Sequence, residues 1–344
     1  MSVLEAVLVN LTTRIPGAAI VTTGGAGTKA VPGDVRHIHA LRHSGSGLAG
    51  VLDGLGYKLD HSRVDFVLFD GVDIRAEMSG IMARLIPHGY RVFGCNQDGI
   101  VAELGSWLDA TPYQHFLAVH QRLADSFIFG TPKRLDLGTL FERHGITIAG
   151  LIHLGAHEGE ELVDYGRLGS FPVTLIEAHP DTYQRLTAKV AAMQDVFPVH
   201  AAVTDRDGPV TFHISGYAEC NSVLPVATLG AIMPGAAEQG TIEVAGRSLD
   251  SLAAEWRERG HKAASANVLV CDIQGAELLA LQGASSFLPQ LDAVVLEVSF
   301  DELYEGCGQV EEIDQIMADA GFARVATASV QHWSWGDALY VRRR

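Results

Sequence analysis

The segment Ile152-His153-Leu154-Gly155-Ala156-His157-Glu158-Gly159 has the residue types of a strand that enters a tight turn and then a helix. Glycines at 155 and 159 open backbone conformations closed to other residues and let the main chain approach a ligand closely. A helix that starts after such a turn offers N–H groups with no intrahelical partner. Any tight strand-to-helix turn can carry glycines, so the weight comes from a second feature. The apolar run 173–176 ends in Glu177, 22 residues after Gly155. An acid ending a second strand is placed to accept hydrogen bonds from both hydroxyls of a ribose. Its plainer reading is an exposed helix cap. Turn and acid together predict a nucleoside-binding, Rossmann-like site.

Charge discriminates between cofactors. The dinucleotide fingerprint GxGxxG, which brings backbone close to a pyrophosphate, is absent. Glu158 and Glu160 put negative charge where a pyrophosphate would lie. S-adenosylmethionine has no phosphate and carries cationic sulfonium and ammonium groups, so it suits this turn better than NAD. A nicotinamide-dependent oxidoreductase stays as an alternative, as does a non-catalytic cofactor-binding or scaffold protein.

Two further acids end predicted strands. Asp272 closes the run 268–272 and Glu297 lies at the end of 293–298. Both fall on the carboxyl edge of a sheet, where α/β sites form. Each is a candidate general base. Asp272 can instead anchor a ligand ammonium or cap the following helix. His332 sits in Gln331-His332-Trp333-Ser334-Trp335, where aromatic faces can stack on a sugar ring or simply form an apolar flap.

Taken in order, these segments resemble the FkbM-type methyltransferases over about residues 145–344. The resemblance is carried by 153–159, by Ile176-Glu177-Ala178-His179-Pro180, and by Ala201-Ala202-Val203-Thr204-Asp205 followed by Gly208. It continues through Asn221-Ser222-Val223-Leu224, Arg247-Ser248-Leu249-Asp250-Ser251-Leu252, Cys271-Asp272-Ile273-Gln274-Gly275-Ala276-Glu277, Leu296-Glu297-Val298-Ser299-Phe300 and Gly336-Asp337-Ala338-Leu339-Tyr340-Val341. His153 and His157 stand where the family usually has Asp and Asn. The usual Glu-Pro-x-Pro reads Glu177-Ala178-His179-Pro180, and Val270-Cys271 replaces a lysine before Asp272.

The resemblance implies O-methyl transfer from S-adenosylmethionine to a hydroxyl of a sugar, glycan or secondary metabolite. His153, Gly155, His157, Gly159, Glu177, Ala202 and Asp272 would form the cofactor set, with Ala202 as an adenine wall. Asp272, Glu297 and His332 are the catalytic candidates. Asn221, Ser222, Gln274 and Trp333 are the candidates for substrate contact.

The bulk properties bound the rest. The 344 residues are 47% hydrophobic, with 25 basic and 41 acidic residues and a formal net charge of −16. Such a field repels phosphate backbones and argues against nucleic acid. Cys95, Cys220, Cys271 and Cys307 form neither a disulfide framework nor a zinc spacing. With no signal-peptide pattern and no membrane-length apolar run, a cytoplasmic protein is expected. No local ligand set requires a metal, so metal-independent chemistry is expected, on a monomer or a homodimer.

The elements that must hold these groups alternate strand and helix. The expected fold is an α/β, Rossmann-like class I methyltransferase domain with a mostly parallel sheet at 135–344. A smaller α/β domain at 1–134 precedes it. In that first part, strands are expected at 35–41, 64–70 and 90–94, a loop at 22–29 and helix at 101–130, with Trp107, Phe116, Leu117 and Leu123 as core anchors. An echo between 56–90 and 283–322, including Ile-Met-Ala in both, marks the first part as a candidate degenerate half-Rossmann unit.

Overall fold

The computed structural model describes residues 20–24, 37–45, 47–70, 77–96, 99–106, 110, 113, 115–128 and 134–343. The chain divides into two compact units, 1–133 and 134–344.

The first unit holds strands β1 (Ile20–Gly24), β2 (Ile38–Ser44), β3 (Val64–Asp70), β4 (Tyr90–Asn96), β5 (Gly99–Glu103) and β6 (His115–His120) in the order β1-β2-β3-β6-β4-β5. β1, β2 and β3 run parallel, whereas β6 is antiparallel to both β3 and β4. The sheet is therefore mixed rather than parallel. Thr22–Gly24 belongs to a strand, not a loop. The expected helix at 101–130 is reduced to Gln121–Ile128. His115-Phe116-Leu117-Ala118-Val119-His120 is a short apolar run whose pattern fits strand and helix equally, and pairing with strands on both sides decides it. Phe116, Leu117 and Leu123 are buried. Trp107 and 25–29 lie outside the described residues.

Strand β3 is buried along nearly its whole length and carries Asp65 in its middle. A buried carboxylate must be paired. Asp65 accepts from the guanidinium of Arg122 and contacts His37 Nε2 at 2.8 Å.

The second unit holds β7 (Leu151–Leu154), β8 (Val173–Glu177), β9 (Val196–His200), β10 (Ala202–Val203), β11 (Gly208–Ser215), β12 (Glu238–Arg247), β13 (Val268–Cys271), β14 (Ala293–Ser299), β15 (Phe322–Ala328) and β16 (Trp335–Arg342). Seven form one sheet in the order β15-β16-β14-β13-β7-β8-β9. All neighbours are parallel except β16, which is antiparallel to β14 and β15. This is the expected mostly parallel α/β sheet. β10, β12 and β11 make a separate small sheet. β12 was not expected, because its sequence is polar, glycine-containing and largely exposed.

Apolar side chains pack on both faces. One face carries Trp256, Phe287, Phe300 and Phe322, and the other Phe141, Tyr165 and Leu186. The helices are delimited by their ends. Ser248 accepts from the Ser251 N–H at 3.2 Å to start Leu249–Arg259, and Gly260 ends it at φ +64°. Gln309 and Glu312 form a reciprocal cap on Val310–Asp319. Among the described residues no helix is long and apolar enough to cross a membrane.

Successive strands leave β7 toward β8 and β9 on one side and, later in the chain, occupy β13 and β14 on the other. The order reverses between β7 and β13. In open α/β sheets such a reversal opens a crevice beyond the strand carboxyl ends. The two units also share a local topology. In each, a strand, a helix and a second strand are followed by an antiparallel strand inserted between them: β6 between β3 and β4, β16 between β14 and β15.

Asp65→Ala would leave the Arg122 guanidinium buried without its carboxylate. The first unit should lose roughly 3–5 kcal/mol in denaturant unfolding; a loss below about 1 kcal/mol would show the pair to be solvated.

Candidate functional site

The crevice is built on main-chain approach. Gly155 follows β7 with φ +77°, and its N–H donates to the Ile176 carbonyl at 2.9 Å. A Cβ at this position would lie 1.8 Å from the Asp272 carbonyl oxygen. Only glycine lets the chain leaving β7 pass the chain leaving β13. His157 then adopts φ +44°. Its N–H donates to Glu177 Oε2 at 3.0 Å, while the His179 N–H donates to Glu177 Oε1 at 2.7 Å. Burial raises the Glu177 carboxyl above its usual range, and these backbone bonds oppose the shift. The His157 ring contacts Glu160 through Nδ1 at 3.0 Å, and its buried Nε2 has no hydrogen-bond partner.

The second loop is fixed by side chains. Beyond β13, Gln274 adopts φ +58°. It donates to Asp272 Oδ1 at 2.6 Å and accepts from Tyr304 Oη at 2.9 Å, while Ser222 Oγ donates to its carbonyl at 2.7 Å. Asp272 reaches solvent through the crevice but has protein packed on every other side. Burial raises its carboxyl, with Gln274 and then Arg134 acting in the opposite sense. Glu277, close behind, accepts from the Ile273 N–H and is pushed up to about 8 by burial.

Two connected cavities result, and the described residues that line them belong to the second unit. The larger, of about 590 Å³, has Asp272, Glu297, Tyr304, Trp335 and Asp337 on its wall. The narrower is an apolar slot between Ala178, Ala202, Phe212, Val223 and Ile273, with Glu177 at its side. Gly155, His157, Glu219, Asp272 and Gln274 line both and form the neck between them. The slot suits a flat apolar ring next to a diol. The larger chamber suits a polar or cationic molecule.

Most sequence candidates meet here. Gly155, His157, Glu177, Ala202, Asn221, Asp272, Gln274 and Glu297 all line one or both cavities. Asn221 also accepts from the Ser215 N–H at 2.8 Å.

Others do not. His153 is buried on the Tyr165 side of β7, 3.0 Å from its hydroxyl, and burial pushes it down to about 4. It packs in the core on the same face of the sheet as Asp272, one pleat earlier, and lines neither cavity. Gly159 lies behind the turn, where an added Cβ would meet leucine side chains at 3.1–3.4 Å. Ser222 is buried and ties the Gln274 loop rather than lining a wall. His332 is packed against Trp333 and Trp335, with ring centroids 4.0 and 5.1 Å away. Neither His332 nor the buried Trp333 lines either of these cavities; Trp335 takes that place. Glu158 turns outward to Arg185 at 2.6 Å, so of the two loop acids only Glu160 charges the crevice.

Sequence reasoning missed Asp337, Tyr304, Trp335 and Arg134. Asp337 stands directly opposite Glu297 across β14 and β16. Burial, with Asp272 second, pushes its carboxyl up to about 6, and burial with three neighbouring carboxylates holds Glu297 well above its usual range. The available signal was a lone acid in an otherwise apolar strand.

Residues 153–323 match the methyltransferase FkbM domain. No curated protein matches the sequence. Among solved structures, fibrillarin from Aeropyrum pernix in complex with S-adenosyl-L-methionine is 11% identical, with 56% of this chain and 66% of that one covered and a TM-score of 0.33. The alignment thus spans just under two thirds of fibrillarin. Magnesium protoporphyrin IX methyltransferase from Synechocystis PCC 6803 is 11% identical, with 60% and 76% covered and a TM-score of 0.34. Methyltransferase FkbM from Methylobacillus flagellatus KT is 12% identical, with 97% and 92% covered and a TM-score of 0.40.

Gly155→Ala should destabilise the chain by about 2 kcal/mol or more, since main chain must move. Gly159→Ala should cost roughly 1 kcal/mol, from its backbone conformation and soft leucine contacts. Equal melting temperatures for the two variants would refute the close approach. The raised Asp337 carboxyl keeps a proton that the unfolded chain has lost. Stability should therefore fall as pH rises from 3.8 through about 6. Asp337→Asn should flatten that part of a melting-temperature profile.

Proposed function

We propose that residues 153–323, which match the methyltransferase FkbM domain, transfer the methyl group of S-adenosylmethionine to a hydroxyl of a sugar, glycan or secondary metabolite. The observation that carries this reading is the pair of cavities joined at the Gly155–Asp272 neck. One has the shape and chemistry of a nucleoside slot, and the other that of an acceptor chamber.

The residues fit this donor. Absence of a side chain at Gly155 leaves a cradle for its methionine portion. The unpartnered His157 Nε2 is a donor for its carboxylate. Glu177 has two oxygens already held by backbone N–H groups, with lone pairs left for the two ribose hydroxyls. Ala202, Phe212 and Ile273 supply apolar walls for adenine.

When bound, S-adenosylmethionine supplies a methyl carbon on a positively charged sulfur, open to in-line displacement by an oxygen lone pair. The neck aligns the reacting atoms, which is where much of the rate gain arises. Asp272 lies at this neck and borders both cavities. Its carboxylate is our choice to accept the hydroxyl proton as the new carbon–oxygen bond forms. Its raised pKa makes it a better base than an ordinary aspartate. Gln274 holds one carboxylate oxygen and leaves the other directed to the acceptor. Glu297, which borders only the larger chamber, orients the acceptor.

Titration calorimetry should register binding of S-adenosylmethionine and none of NADH; binding of NADH alone would favour an oxidoreductase. Glu177→Ala should weaken donor binding by roughly 10–100-fold, the worth of hydrogen bonds to a charged group. Unchanged affinity would remove the ribose assignment. Asp272→Asn should lower kcat for labelled methyl transfer at least about 100-fold if it takes the proton, with donor affinity reduced far less.

A further inference from the structure

The charge left over in the larger cavity points to the acceptor, given the methyl-transfer reading on which this inference rests. Its wall carries Glu161, Glu219, Asp272, Glu297 and Asp337. Glu160 and Asp164 also line it but contact His157 and Arg167. Among the described residues Arg134 is the one Lys or Arg side chain on this wall. S-adenosylmethionine has two cationic groups and one carboxylate. One guanidinium and that single net charge leave the chamber with more carboxyl groups than cations to pair with them.

The surplus is concentrated away from the donor. Glu297 and Asp337 are directly opposed residues on antiparallel strands, so both side chains leave the same face of the sheet. Like charges at opposed positions weaken strand pairing. Among the described residues neither carboxylate has a hydrogen-bond or ion-pair partner. Both are enclosed except where they face the cavity. They stand on β14 and β16, on the far side of β13 from the strand ends that carry Gly155 and Glu177. Trp335 and Tyr304 line the same chamber, and aromatic faces attract cations. Among the described residues no three His, Cys, Asp or Glu side chains are grouped so as to hold a metal ion. Carboxylates spread along a wall suit an extended organic cation better than a point charge.

We infer that the acceptor bears a protonated amine near the hydroxyl to be methylated, as in an amino sugar or another amino alcohol, with the ammonium held by Glu297 and Asp337. Asp272 remains free at the neck for the hydroxyl proton. An N-acylated acceptor would lose the charge and leave the pair unsatisfied. An acidic acceptor would be repelled.

The test uses the full chain with labelled S-adenosylmethionine and three matched β-1,4 tetrasaccharides: glucosamine, N-acetylglucosamine and glucose. Methyl incorporation should give a kcat/KM for the glucosamine form at least tenfold above either neutral form. Glu297→Gln and Asp337→Asn should each reduce that preference severalfold, mainly through KM, with donor binding measured alongside. Equal rates on neutral and amino forms would overturn the inference. So would failure of the glucosamine form to bind or react, or methylation of the glucose form at the amine's rate once magnesium is added. If the chain fails to bind S-adenosylmethionine, the methyl-transfer reading itself falls. Donor binding without an amine preference removes only the acceptor assignment.

Discussion

Everything in the crevice depends on one steric permission: the chain leaving β7 passes within touching distance of the Asp272 carbonyl because residue 155 has no side chain. The sheet reverses its winding between β7 and β13, which opens a gap at that edge. Close passage narrows the gap into a neck. His157, Asp272 and Gln274 then border two spaces at once, a flat apolar slot and a charged chamber. A larger residue at 155 would push the loops apart and separate the two spaces that methyl transfer must join.

Buried acids around this neck illustrate how environment divides the work of one residue type. Glu177 is nearly inaccessible, yet both oxygens receive backbone N–H groups. Glu277 likewise accepts a backbone N–H and braces the Asp272 loop. Glu297 has no such support and faces further carboxylates. The first two are held by the protein. The third is left for whatever enters the chamber. The contrast matters more than the number of acids, because a carboxylate held by backbone N–H groups is fixed in place, whereas an unsatisfied one has all of its capacity open.

The parts of this arrangement legible in the sequence were those fixed locally. Gly155, Glu177 and Asp272 each sit at the end of an apolar run, and a strand end on a parallel sheet has a known direction. Strand alternation also held the information that His153 faces the Tyr165 side of the sheet, since its neighbours Ile152 and Leu154 share the opposite core. Asp337 was different in kind. Its meaning depends on register with Glu297, 40 residues earlier, and register is set by tertiary pairing. The exchange of Trp333 for Trp335 has the same origin. In the first unit, 115–120 read as helix because four apolar residues between two histidines have no period of their own, and β3 and β4 supply the context that settles them.

Among the described residues, two of the four non-glycine residues with left-handed backbone, His157 and Gln274, stand at this neck. Such conformations cost on the order of 1 kcal/mol each, and glycine would adopt them freely. The fold thus spends stability to hold an imidazole and an amide where the two spaces meet. Selection for heat resistance alone would favour glycine at 274, and with it the loss of the amide that orients Asp272. Robustness and competence pull in opposite directions at these two positions, so the chain's thermal ceiling is set partly by its own chemistry.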